Sequence, residues 1–459
     1  MDFVPVEYAV RLAGLYLPLV SVIAICYWQK PLQREYAAYL LAFCWNLPTL
    51  LAMHLVAQAL GWWTFTTDEA VFLGFPVDLY LGWALLWGPL PLMLGRSLPV
   101  VVIAAGALLL DLALMPALSS ILTLGAWWWA GDVCSVAICL VPALLLGRWT
   151  VTDRYVTARV CLQGIGVVGL LFGVIPAILV AQTGSDLLAP VLGRPDWLNA
   201  LLVQPLIIAG VVGFTAGLEF ARRGDGTPLP FDPPTRLVTS GPYAYVRNPM
   251  QIAAALGFAG LAMLVEQPLL WLGVVILASY GLGLAGTTEH SDMVRRYGDA
   301  WLDYCARVRN WWPRWRPYAS FSQLERVYIA RSCTLCSALG VRLKALDPQG
   351  LSFVAAEAHP LRPPTRMTYD PLDGSPPERG VTALARTLEH VHLGWAVIAW
   401  FLRFPGLAQV LQVIIDAAGG GPRELATDAP PSVQATHSLT PARGGGTIPP
   451  TSNRRNARL

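Results

Sequence analysis

The chain reads as a polytopic α-helical membrane protein of about nine spans, followed by a small C-terminal α/β unit and a disordered tail. Three observations predict that fold class. Charged residues make up only 13% of the 459 residues, about half the 25% usual in soluble domains. Hydrophobic residues reach 55%, with 18 tryptophans, and mean hydropathy is +0.51. Uncharged runs of span length recur between residues 10 and 287, more than one soluble core can hide. A net charge of +3 is no basic footprint, which excludes nucleic acid as a partner class. The lipid bilayer is the expected partner.

Nine apolar runs stand out in a window of about 19 residues: 10–27, 37–62, 78–94, 98–121, 129–147, 159–182, 199–220, 250–265 and 268–287. The last two join through Glu266-Gln267-Pro268 as a tight hairpin. One set of loops holds Lys30, Arg34, Arg96, Arg148, Arg154, Arg222, Arg223, Arg236 and Arg247, with Arg159 at the edge of its run. The alternate set holds Asp68, Glu69, Asp186, Asp196 and Glu266, with Arg194 as the one basic exception. The positive-inside rule then predicts an integral plasma membrane protein with its N-terminus outside and residues after 287 in the cytoplasm. The opening MDFVPVEYAV lacks a basic n-region and a cleavage site, so the first run is expected to remain as a span.

The runs divide the chain into an N-terminal membrane domain of about six spans (1–198), a second membrane region (199–318), a soluble unit (324–423) and a tail (424–459). In the soluble unit, Val327–Ile329 reads as a strand, Cys333 to about Leu346 as a helix and 351–357 as a second strand. Arg366–Asp370 with the turn Asp373-Gly374 suggests a hairpin. An amphipathic helix near 380–392 and apolar helices to about Ala418 follow. From Gly419 onward Gly, Pro, Ser, Thr and Arg dominate, and disorder is expected.

Of the eight cysteines, Cys26, Cys44, Cys134, Cys139 and Cys161 lie in or beside apolar runs and Cys305 stands alone; each reads as a small hydrophobe. Two glycine stretches, Gly164–Gly169 and Gly281–Gly286, match a dinucleotide fingerprint by letter. Both sit inside spans with no strand before them, so they read as close helix packing. Asp111 and His54 lie within apolar runs, where an ionisable group is a functional candidate by default. The phrases GWWTF (61–65) and DLALMP (111–116) resemble stretches of bacterial membrane carotenoid-synthesis proteins.

The informative stretch reads SGPYAYVRNPMQ (240–251), then an apolar hairpin, then TTEHSDMVRRYGDAWLDYCARVRNWWP (287–313). Gly241-Pro242 makes a turn, and Arg247-Asn248-Pro249 lies where a loop enters a span. A two-helix hairpin returns to the face it left. Arg247, Asn248 and Glu289 should therefore meet the aromatic helix carrying Trp301 and Tyr304, in a polar, aromatic-walled pocket at the membrane surface. This order of motifs resembles the membrane methyltransferases related to isoprenylcysteine carboxyl methyltransferase and to phospholipid methyltransferases, over about residues 200–317. The resemblance implies S-adenosylmethionine as cofactor and a lipid-like or small membrane-accessible methyl acceptor. By motif it implies cofactor binding by Gly241, Pro242, Tyr243, Arg247, Asn248, Pro249, Glu289, His290, Tyr297, Gly298 and Tyr304, with Arg247 and Glu289 closest to the chemistry. Gln251, His290 and Trp301 depart from the family pattern, and they bear on the acceptor more than on the cofactor.

Cys333-Thr334-Leu335-Cys336 follows a strand and opens a helix, a placement that lowers the first thiol's pKa. Cys336, one turn inside, is expected to be the more buried, resolving thiol. A four-cysteine zinc site needs a second pair, and His390-Val391-His392 puts its imidazoles on different helix faces, so no metal site is expected. Residues 324–423, including GVTALARTLEH (380–390), resemble the DCC family of thioredoxin-like thiol-disulfide oxidoreductases, implying a thiol or disulfide partner. Ala330 stands where that family has Asp. Two alternatives to methyl transfer stay open at this point: a membrane-tethered thiol-disulfide oxidoreductase, and an isoprenoid- or carotenoid-modifying protein that uses the first six spans.

Overall fold

The computed structural model describes residues 6–184, 186, 189–229, 231–282, 284–319 and 324–425, without the side chains of 280–289. The expected disordered tail lies outside these residues from 426 onward. Among the described residues seven helices are long and apolar enough to cross a bilayer: α1 (Val6–Gln29), α2 (Gln33–Leu60), α3 (Val77–Leu94), α4 (Val100–Leu118), α5 (Trp128–Thr152), α6 (Val156–Thr183) and α7 (Asp196–Gly224). Half of the apolar window of α2 is buried, against 11% for α1 and α4. Helices α2, α3 and α5, with windows 50%, 50% and 56% buried, form the centre of the bundle, and α1 and α4 present their Leu, Val and Ile side chains outward.

The expected count of nine spans is corrected here. The eighth and ninth runs form α8 (Pro249–Leu264) and α9 (Trp271–Leu282), which are 16 and 12 residues long. At 1.5 Å per residue α8 reaches about 24 Å, short of the roughly 30 Å hydrocarbon core. Pro249 starts it, and Glu266 in the left-handed region (φ +53°) lies just beyond its end. Helices α10 (Leu284–Tyr297) and α11 (Asp299–Arg307) follow. The Glu266-Gln267-Pro268 turn between α8 and α9 lies where the sequence places it, and α9 is described as far as Leu282.

Two short ribbons escaped the sequence reading. Strand β1 (Trp63–Phe65) pairs antiparallel with β4 (Leu122–Leu124), and β2 (Val71–Phe72) with β3 (Phe75–Pro76). Strands of two or three residues carry too little alternation to be seen. They cap the end of the bundle that holds Asp68 and Glu69. At that end Arg11, buried within α1, bonds to Asp78 at 2.7 Å and ties α1 to α3. Arg194, the basic exception among the acidic loops, pairs there with Glu266 and donates to the carbonyl of Leu264 at 2.8 Å. At the opposite end the fully buried Arg159 sits between Asp153 and Asp232, both at 2.8 Å, and Arg34 pairs with the same two carboxylates.

The C-terminal unit holds a four-stranded sheet of β5 (Glu325–Ile329), β6 (Leu351–Ala355), β7 (Thr368–Asp370) and β8 (Glu378–Arg379), in the order β6-β5-β7-β8. Strands β5 and β6 are parallel, β7 is antiparallel to β5, and β8 is antiparallel to β7. Helices α12 (Thr334–Ala345) and α13 (Val381–Glu389) pack on it, with Val327, Leu343, Tyr369 and Leu388 in one buried cluster. Each predicted element is present within a few residues. The apolar helices that follow, α14 (Leu393–Leu402) and α15 (Leu407–Ile415), meet at 87° and together pass as an eighth candidate span. Helix α14 puts Ala399 into the buried cluster of the C-terminal unit and, on its other side, lays Ala396 and Trp400 against Val211 of α7 and against Tyr245.

Candidate active site

Helices α7 and α8 run side by side, close enough that a Cβ on Gly213 would lie 3.2 Å from that of Ala253. The loop between them ends in a single 3-10 turn, Gly241–Ala244. Gly241 has φ +59°, and a Cβ there would sit 2.8 Å from Glu219 Cγ, so the turn requires glycine twice over. Ser240 Oγ donates to Glu219 at 2.7 Å and fixes the start of the turn.

The returning chain then lies along residues 243–248. Tyr304 Oη donates to the Tyr243 carbonyl at 2.8 Å. Arg247 N–H donates to the Arg309 carbonyl at 3.0 Å, and an Arg247 guanidinium N–H reaches Cys305 Sγ at 3.0 Å. Asn248 Nδ2 donates to Asn310 Oδ1 at 2.7 Å. Arg314 and Tyr318 complete the pairing through N–H bonds to the carbonyls of Tyr245 and Ala244. Tyr297 Oη donates to the Pro234 carbonyl at 2.6 Å, and Trp301 Nε1 to His290 Nδ1 at 3.2 Å. Gly298 makes the bend between α10 and α11 at φ +54°. Of the expected convergence of Arg247, Asn248 and Glu289 with the aromatic helix, Arg247 reaches Cys305 on that helix and Asn248 reaches Asn310 just beyond it. His290 is exposed, with Trp301 as its bonding partner. Glu289 belongs to α10, but its side chain lies outside the described residues.

Burial raises the phenols of Tyr243 and Tyr304 above their ordinary value, and that of Tyr297 in the same way. All three stay protonated at neutral pH and act as donors or spacers, not as bases. Burial also raises the Cys305 thiol, against the pull of Arg247. Three buried polar atoms of this loop lack partners among the described residues: Tyr243 Oη, Arg247 Nε and Gln251 Oε1. Two donors and an acceptor left open within nine residues suit a ligand with a carboxylate, an ammonium and hydroxyls, as S-adenosylmethionine has.

A charge cluster that the sequence reading missed supports the same turn from behind. Glu219, fully buried at the end of α7, pairs with Arg386 at 2.7 Å and with Arg403 at 2.9 Å. Arg386 also meets Glu378 at 2.6 Å and Glu389 at 3.0 Å. Tyr245 Oη donates to the Glu389 carbonyl at 2.7 Å, and Arg223 pairs with Asp373 at 2.7 Å. The one signal was an arginine within the alanine-rich face of 381–389. A cavity of about 100 Å³ lies between the turn and the C-terminal unit, walled by Ser240, Gly241, Tyr318, Glu325, Tyr369 and His390; Arg247 and Asn248 do not line it. His390 bonds Glu325 at 3.0 Å and the Gln349 carbonyl at 2.8 Å, while His392 stacks on Trp315.

Cys333 is the N-cap of α12 and accepts the Cys336 N–H at 3.3 Å, with the two sulfurs 2.6 Å apart. Burial pushes the Cys333 thiol up, but the bonds from the Cys336 thiol and the backbone outweigh it and hold the pKa below that of an ordinary thiol. Burial and the neighbouring Cys333 push Cys336 up to about 11. The expected order of exposure is reversed: Cys333 is 3% exposed, and Cys336 is the more open thiol. A cap residue turns its side chain back over the first turn, which hides it. A carboxylate does stand near the motif despite Ala330. Glu357, after β6, accepts the N–H groups of Arg331 and Ser332 at 3.0 Å each. Burial raises its pKa, but these bonds prevail and hold it at about 2, too low for a proton acceptor; it fixes the loop instead.

No curated protein and no solved structure matches the chain. A family model described as phospholipid methyltransferase matches residues 220–300, the stretch from the end of α7 through the Gly241 turn, Arg247, Asn248 and the α8–α9 hairpin to the start of α11. The match gives no support to the DCC resemblance of 324–423. What it supports, together with the apolar helices around it, is a membrane methyltransferase.

Proposed function

We propose that the chain transfers a methyl group from S-adenosylmethionine to a lipid-like or small membrane-accessible acceptor. The observation that carries this reading is the bonding of residues 243–248 to 304–314, at a loop whose buried polar atoms are left open. When bound, the cofactor supplies an electrophilic methyl on a sulfonium. Arg247 pairs with its carboxylate, Tyr243 and Gln251 orient its polar groups, and Glu289 holds its amino or ribose groups. Tyr304 and Trp301 wall the site and keep water from the acceptor. The remaining work is alignment of the acceptor atom with the methyl group. The raised tyrosines offer no base, so an amine acceptor must arrive uncharged, whereas a carboxylate or thiolate needs no proton removed.

The same reading puts Arg247 and the C-terminal unit on the cytoplasmic side of the plasma membrane, supported by the arginines gathered at that end. The strand order β6-β5-β7-β8 and the cap position of Cys333 support a thioredoxin-like unit whose dithiol exchanges with a partner disulfide. The test is calorimetric titration of the purified full-length protein with S-adenosylmethionine. Arg247→Ala and Glu289→Ala should each weaken binding tenfold or more, since a charge-assisted contact is worth roughly 1.5–3 kcal/mol. Binding by both variants at the wild-type affinity would overturn the placement of the site.

A further inference from the structure

A second cavity, of about 50 Å³, lies inside the N-terminal bundle at the end opposite Arg247, between α2, α4 and α5. About 10–15 Å³ suffices for one water molecule, so the space accepts a small polar group with its first carbon substituents. His54, Asp111 and Asp132 line it, at 1%, 4% and 4% exposure. Neither ring nitrogen of His54, nor Asp132 Oδ2, has a hydrogen-bond partner among the described residues. The backbone of Leu73 and Gly74 lies beside the imidazole. Buried polar atoms are ordinarily satisfied, so three open ones around one cavity mark a place built for a ligand.

The walls say which ligand. Trp63, Trp83 and Trp87 complete the cavity, with Phe65 and Phe75 stacked at 5.2 Å beside His54. Ring faces attract cations, organic ammonium groups most of all, and two carboxyl groups call for a donor-bearing positive charge. An apolar polyene would leave Asp132 and His54 unpaired. No group of three metal-capable side chains converges among the described residues. We propose that this cavity binds an organic ammonium group, carried either by a lipid headgroup or by a free amine. The site is separate from the methyl-transfer loop and does not depend on it. Asp132 and Asp111 pair with the ammonium, His54 accepts one of its N–H bonds, and the Trp63 ring covers its carbon substituents.

The experiment titrates the full-length protein, in nanodiscs of phosphatidylglycerol, with ethylammonium chloride against a sodium chloride reference of equal ionic strength. A saturable heat is expected with ethylammonium only. Asp132→Asn should weaken binding tenfold or more, and Trp63→Leu by about fivefold. Trp127→Leu, an exposed indole at the same end, should bind like wild type. Trp63→Leu keeps the proposal falsifiable if Asp132→Asn does not fold. In nanodiscs of phosphatidylethanolamine, loss of the ethylammonium heat identifies the lipid headgroup as occupant, and an unchanged heat identifies a free amine. No saturable heat in phosphatidylglycerol, an equal response to sodium, or wild-type binding by Trp63→Leu overturns the proposal.

Discussion

Replacing Arg386 with methionine removes one cation from the cluster behind the Gly241 turn. Arg386 is 1% exposed and faces Glu219, Glu378 and Glu389 at 2.7, 2.6 and 3.0 Å. Among the described residues Arg403 would then be the ion-pair partner left to buried Glu219 and Glu389 and half-buried Glu378, between α7 and the C-terminal unit. Breaking a buried pair by removing one partner costs roughly 3–5 kcal/mol, because the charges left behind cannot be rehydrated. Pairing the change with Glu389→Gln, which removes an opposing charge, should recover part of that loss. Reversible unfolding of the full-length protein in mixed micelles reads the free energy, and amide exchange along α13 reads whether the C-terminal unit lifts from α7. Exchange should accelerate in 381–389 and around the turn at 241–244 together. A cost below about 1 kcal/mol, or fast exchange in α13 with an undisturbed turn, would refute the claim that the cluster holds the turn in place.

Burial pushes the Glu378 carboxyl up, but Arg386 and Arg403 prevail and hold it at about 2, below the usual value near 4.3. Its stabilising effect is therefore complete above about pH 4.3 and lost as pH falls towards 2, which α13 exchange should follow. Tyr304→Phe leaves the buried Tyr243 carbonyl without its donor and should cost about 1–3 kcal/mol of stability; an unchanged melting curve would count against the pairing of 243 with 304. Cys333 should alkylate with a midpoint below the ordinary thiol value near 8.5, and Cys336→Ala should raise that midpoint by removing a bond to the thiolate; mass spectrometry of alkylated full-length protein over a pH series decides. A reporter fused after Arg316 should read cytoplasmic and one inserted near Gly193 external, and the opposite pattern would reverse the orientation.

The membrane class and the loop that the methyltransferase family model matches were legible because each rests on local chemistry. Uncharged runs mark spans, and the Gly241-Pro242 turn, Arg247, Asn248 and Tyr304 keep their order along the chain. The α/β elements of 324–418 were legible for the same reason: strand 325–329 and helix 334–345 follow from alternation and from a cap. Long-range pairing was not legible. Glu219 ends an apolar run and Arg386 sits 167 residues later, and nothing local says that they meet. The span count differs at the eighth run, whose helix of 16 residues falls short of the hydrocarbon core. The exposure of the two thiols was reversed because a cap side chain folds back over its own helix.

Methyl transfer to a lipid acceptor is read from the fate of a labelled methyl group. Purified full-length protein is reconstituted in phosphatidylethanolamine vesicles and incubated with S-adenosylmethionine labelled on the methyl group. Label is expected in the organic-soluble lipid fraction, reduced at least tenfold by Arg247→Ala. Cofactor binding with no label in lipid, in small organic acceptors added to the vesicles, or in the protein would contradict methyl transfer.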